Sequence, residues 1–324
     1  MANSINNVQA VQQALQNEMA LDPTVVVYGE DVGYEGGVFR ATVGLQEEFG
    51  KSRSFDTPLA ESAIVGTAVG MAINGFKPVV EMQFMGFIYP AVNQIVSHVS
   101  RYRNRTRGQR SMPIVIRAPY GGGIRALEHH SESTEAMFAH IPGLKVVIPS
   151  TPYDTKGLLI AAIRDPDPVL FLEPKRIYRA FRQEIPEEAY ELPIGKAKIV
   201  QEGDDITIVA WGAMMPEVQK AVESLEDISA EIIDLRTISP MDRETIVASV
   251  QKTGRILVVH EAAKSFGAGA EIISVVNEKA FLSLEAPPTR LTGFDTIFPL
   301  PRGEKHYLPT PERIWAKIKE VVEF

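Results

Sequence analysis

The 324 residues include no cysteine, which excludes disulfides, thiolate metal sites, iron–sulfur clusters and cysteine nucleophiles together. Positive charge is in short supply. There are 33 Lys and Arg against 41 Asp and Glu, and a formal charge of -8 argues against a general nucleic-acid binder, which needs clustered cations for phosphate. The one basic run, Arg101 to Arg110, reads as a solvated loop or a patch for an acidic partner. No apolar run is long enough to span a bilayer, since Phe84 to Ser97 is short and holds Pro90, Asn93 and Gln94. The N-terminal MANSINNVQAVQQ has no basic region followed by an apolar core, so no signal peptide is read and a cytoplasmic protein is expected. A Walker A sequence, a Gly-x-Gly-x-x-Gly turn and a Gly-x-Ser-x-Gly elbow are all missing, and the histidines show no metal-ligand spacing.

What is there is an ordinary globular composition, 45% hydrophobic and 23% charged, at a length that suggests two domains. Apolar strand candidates (Thr24 to Tyr28, Pro78 to Phe84, Pro113 to Pro119, Lys145 to Pro149, Pro168 to Leu172) alternate with helical periodicity. Asn7 is expected to cap the first helix, and Phe87 to Arg103 to form another. Continuous apolar strands separated by helices fit a parallel sheet covered on both faces. A proline-containing acidic stretch from about Phe181 to Gly195 reads as a linker, and a second alternating unit follows. The expected organisation is two α/β domains, 1–185 and 204–324, joined by 186–203.

The central stretch is Asp56 to Gly75, DTPLAESAIVGTAVGMAING. Thr57 as N-cap and Pro58 at the first position predict a helix start there, with Glu61 in the first turn, where the macrodipole favours a carboxylate. Gly66 and Gly70 allow close packing, and Gly75 supplies a stop. Other polar candidates at strand ends are Glu30, Glu81, Gln83 and the pair His129 and His130; ligands gather beyond the carboxyl ends of strands in such sheets.

Seven strings in order, GEDVG (29–33), GGVFRAT (36–42), FDTPLAES (55–62), EMQF (81–84), PGLKVVIPSTPYD (142–154), PIGKA (193–197) and IDLRTISPMD (233–242), span the chain. Together they resemble the beta subunit of the thiamine-diphosphate-dependent decarboxylating component of 2-oxo acid dehydrogenase complexes. The resemblance implies a pyrimidine-binding domain followed by a transketolase C-terminal-like domain, with the cofactor shared with an alpha subunit in a heterotetramer. Families that bind this cofactor on one chain carry Gly-Asp-Gly and a downstream Asn for magnesium and diphosphate. Here the only Gly-Asp, Gly203-Asp204, runs into Asp205, so magnesium is expected on the alpha subunit.

By the same resemblance, Glu61 matches the glutamate that hydrogen-bonds N1′ of the aminopyrimidine and so promotes proton removal at C2. Phe87 matches the aromatic residue packed on the pyrimidine, Gln83 lines the same pocket, and Glu30 matches a second acid on a proton path. His130, chosen over His129 because the pattern is His-Ser followed by a polar residue, matches a histidine that contacts the substrate carboxylate or assists acyl transfer to lipoamide. Ile114, Ala162, Ile163, Asp165 and Asp167 match positions that in some relatives ligate potassium, mostly through carbonyls; Pro166 departs from that pattern. The implied activity is oxidative decarboxylation of pyruvate with acyl transfer to the lipoyl domain of a dihydrolipoyl acyltransferase core. The alternatives are a branched-chain 2-oxo acid substrate, a non-catalytic scaffold subunit, or a self-sufficient transketolase-like enzyme.

Overall fold

The computed structural model describes residues 2–324. In chain order the strands are β1 (Ala2–Ile5), β2 (Val25–Gly29), β3 (Ser54–Asp56), β4 (Lys77–Glu81), β5 (Val115–Tyr120), β6 (Lys145–Val147), β7 (Val169–Pro174), β8 (Gln183–Pro186), β9 (Lys198–Gln201), β10 (Ile206–Ala210), β11 (Ala230–Asp234), β12 (Thr237–Ser239), β13 (Ile256–Val259) and β14 (Thr289–Leu291). The first sheet runs β12-β6-β7-β5-β4-β2-β3, all parallel except β12 at the edge. The second runs β14-β13-β10-β11-β9, parallel except for β9. The two are interleaved: β12, from late in the chain, closes the edge of the first sheet.

Both faces of the first sheet are buried, which is why its strands read as unbroken apolar runs. On one face Val25, Val27, Val79 and Phe171 pack against the helices Asn7–Leu21 and Pro152–Arg164. On the other, Tyr28, Val80 and Ile116 share a core with Val209, Ile233 and Val258 of the second sheet. That shared core joins the two layers into one body.

Four expectations shift. The helix of the central stretch begins at Glu61, not at Thr57, and its N-cap Ala60 makes no side-chain cap bond. Thr57 is instead held in line with the sheet, its amide donating to the Gly29 carbonyl at 2.8 Å, which keeps the chain extended past Asp56. Asn6 rather than Asn7 caps the first helix, in a capping box with Gln9. Asn7 is buried and spends its amide on the Ile177 carbonyl. The 87–103 region is no uniform helix: a 3₁₀ segment holding Pro90, which lacks an N–H to donate, leads into short α and π turns. Lastly, the 186–203 stretch is not all connector, because β9 within it pairs antiparallel with β11.

Candidate active site

In the first sheet β2 lies between β3 and β4, so successive connections leave it on opposite sides and open a crevice at its carboxyl end. Glu30 is the first residue beyond that end. It is 5% exposed, and one of its carboxylate oxygens has no hydrogen-bond partner. Burial, then the charge of Glu61, pushes its carboxyl up to about 7, and a side-chain hydrogen bond joins the two acids. Glu61 sits at the first position of the helix Glu61–Ile73, where the first backbone N–H groups have no intrahelical partner. Glu30 can therefore carry a proton near neutral pH, hydrogen-bonded to Glu61. Beside them Gln83, just past β4, donates to Asp31 at 2.5 Å.

Aromatic side chains cluster just beyond the carboxyl end of β4. Phe84 meets Phe87 edge-on at 5.4 Å, and His130 lies 4.4 Å from Phe84 and 5.2 Å from Phe87. His130 is half-buried with its Nδ1 buried and unpartnered, whereas His129 is exposed at 5.3 Å from Phe87. The backbone at Gly86 passes so close to the His129 carbonyl that a side chain there would collide with it.

Beneath these rings runs an ion network that the sequence reading missed. The Arg117 guanidinium donates twice to Glu173, at 2.6 and 3.0 Å, and once to Glu81 at 3.0 Å. Tyr178 adds a 2.6 Å bond to Glu173, and all four side chains are buried. Burial raises the Glu81 carboxyl, with Arg117 opposing. Lys175, just past β7, is buried with its ammonium 5.6 Å from the Phe84 ring and no hydrogen-bond partner; burial pushes it down to about 7. The available signal was a single cation inside or just after an apolar strand, as in VIRAPY and FLEPK.

The five residues matched to a potassium site lie at the opposite, amino ends of β5 and β7. The Met112 amide donates to the Pro166 carbonyl and the Val169 amide to the Ile114 carbonyl, both at 2.9 Å, which draws Ile114 and the 165–167 turn together. Ala162 and Ile163 end the helix Pro152–Arg164 beside them. Both carboxylates already face cations, Asp165 with Lys145 and Asp167 with Arg103. Among the described residues no group of three or more His, Asp or Glu is arranged to hold a metal.

A buried carboxylate past the end of a parallel strand, hydrogen-bonded to a partly open one at a helix start and backed by a second α/β unit, fits a transketolase-type subunit. The family described as transketolase, pyrimidine binding domain, matches residues 3–180, and that described as transketolase, C-terminal domain, matches 195–314. A split gene transketolase, inactive beta4 tetramer, has the same fold, with a TM-score of 0.81 at 21% identity over 99% of each chain. Pyruvate dehydrogenase E1 component subunit beta of Acholeplasma laidlawii is 61% identical, that of Mycoplasma genitalium 52% and that of Bacillus subtilis 51%, each over 98% of both chains. The chain belongs to this family of E1 component beta subunits.

Proposed function

We propose that this chain, assembled with an alpha subunit, carries out the oxidative decarboxylation of pyruvate and passes the acyl group to lipoyl groups. The carrying observation is the Glu30–Glu61 pair, two hydrogen-bonded acids whose first member is raised to about 7 and keeps an unpartnered buried oxygen. A carboxyl that carries a proton, a second carboxylate and the apolar rings of Phe84 and Phe87 suit an aminopyrimidine, whose ring nitrogen accepts a hydrogen bond or a proton, whose amine donates one and whose faces want apolar contact. Thiamine diphosphate, when bound, supplies a nucleophilic carbon and an electron sink for the loss of CO2.

The chain's own residues do the rest. Glu61 holds or takes the proton at the pyrimidine nitrogen, and Glu30, raised to about 7, relays it near neutral pH. Phe87 and Gln83 line the pocket. His130, with one ring nitrogen unpartnered, faces the substrate carboxylate or the acyl acceptor. Magnesium and the diphosphate fall to the alpha subunit: Gly203-Asp204 turns between β9 and β10, with Gly203 pressed on the backbone of Ala230 and Glu231. Potassium at Ile114, Ala162, Ile163, Asp165 and Asp167 would brace the 165–167 turn. The acyltransferase core completes the assembly, in the cytoplasm; no helix among the described residues is long and apolar enough to cross a membrane.

The test is Glu61→Gln in the assembled enzyme. Near-normal decarboxylation with normal activation would end this reading. Cofactor-dependent thermal stabilisation should appear only when the alpha subunit is present. The relatives' names favour pyruvate over branched-chain acids, and the specificity constants for pyruvate and 2-oxoisovalerate should differ by roughly ten- to two-hundredfold.

A further inference from the structure

The loop that carries His129 and His130 leaves β5 through three successive glycines, Gly121, Gly122 and Gly123. Gly121 and Gly123 have positive φ, as does Arg125, so this strand exit is a shape most residues resist. Arg125, Leu127, Glu128 and His129 are exposed, and the loop therefore buries little apolar surface of its own. It is held from outside.

The holding groups come from late in the chain. Gly122 donates its amide to Glu261 Oε2 at 3.0 Å, and Arg125 donates its amide to Glu304 Oε2 at 3.0 Å. Glu261 lies two residues beyond β13, Glu304 starts the short helix Glu304–Tyr307, and both are buried. The Phe298 ring fills the space that a side chain at Gly122 would need, and Glu261 does the same at Gly121. A carboxylate accepting a backbone amide away from water makes a strong, directional bond. The charge of Glu261 also reaches the Lys175 ammonium, which lies over the Phe84 ring, and Phe84 in turn meets His130 edge-on. The direct hold from the C-terminal unit to that histidine thus runs through the loop backbone.

We infer that Glu261 and Glu304 are positioning residues: they hold the 121–130 loop so that His130 stays seated between Phe84 and Phe87. The C-terminal unit is then a working part of the active-site geometry as well as an assembly surface. This rests on the role proposed above for His130.

The experiment is a double-mutant cycle in the enzyme assembled with its alpha subunit, pairing Glu261→Gln and Glu304→Ala each with His130→Ala. Each glutamate variant should lower kcat/KM about tenfold, since small misplacements of a reacting group are costly. In the His130→Ala background the same changes should cost less than about twofold, because the group they position is gone. Amide exchange across 121–131 should also quicken in both variants while β5 stays protected. Equal losses in both backgrounds, or unchanged exchange in the loop, would overturn the inference. Glu304→Ala leaves an exposed residue's amide to water and serves where Glu261→Gln fails to assemble. If His130→Ala alone leaves turnover intact, the proposed role of His130 fails, and the exchange measurement still decides whether the clamp exists.

Discussion

Both parallel sheets put charged and aromatic residues at the carboxyl ends of their strands, but the two ends are finished differently. At the first, Glu30 is buried while Glu61 and Gln83 remain partly open. At the second, Trp211, His260 and Glu261 are 3% exposed or less, His260 stacks on Trp211 at 5.3 Å, and the glycine loop and Phe298 lie over Glu261. One architecture therefore gives an end that can receive a ligand and an end whose polar groups are turned inward. The difference lies in what covers the strand ends, since strand polarity is shared.

The largest effect should come from breaking the open end. Glu61→Gln should cut kcat for decarboxylation by about 10²–10⁴-fold, the usual reach of general acid–base groups, without lowering the melting temperature. A parallel loss of stability would mean that Glu61 is structural. Arg117→Met attacks the support beneath it, stranding Glu81 and Glu173 without their cation, and should cost about 3–5 kcal/mol in urea denaturation. A neutral result would make the network dispensable.

Smaller effects sharpen the contrast through pH. Glu30 is raised from 4.5 to about 7, so the folded state binds its proton more tightly, and stability should fall as pH rises from about 4.5 to about 7. Glu30→Gln should therefore melt higher than the parent above pH 7 and match it near pH 4. His260, at the closed end, is lowered by burial from 6.5 to about 4, so stability should fall as pH drops from about 6.5 to about 4. His260→Phe, which keeps a ring on Trp211, should flatten that acid limb and leave turnover alone. Melting curves across pH 4 to 8 check both slopes; slopes of the same sign would erase the contrast between the two ends.

Three Thr-Pro pairs show how far local reading reaches. Thr151 and Thr310 do cap helices, accepting from Asp154 at 3.1 Å and Arg313 at 3.4 Å, with proline in the first turn of each. Thr57-Pro58 has the same local chemistry and does not, because pairing of β3 with β2 runs on to the Thr57 amide. A cap is a short-range device, and a sheet hydrogen bond from a residue far away in sequence can outbid it. Gln83 and Glu81 were visible as polar residues in an apolar strand end, whereas Arg117 and Lys175 were passed over because their partners Glu173, Phe84 and Glu261 lie on other strands and loops.

Periodicity and composition by themselves determined the α/β alternation and the buried parallel strands, since each depends only on near neighbours along the chain. Tertiary structure alone decided that Glu30 is buried against Glu61 with its carboxyl raised, that His130 and not His129 meets Phe84, and that β12 closes the first sheet. Those outcomes depend on burial and on distances between groups tens to hundreds of residues apart, and a carboxyl's proton affinity is set by the surroundings that folding brings to it.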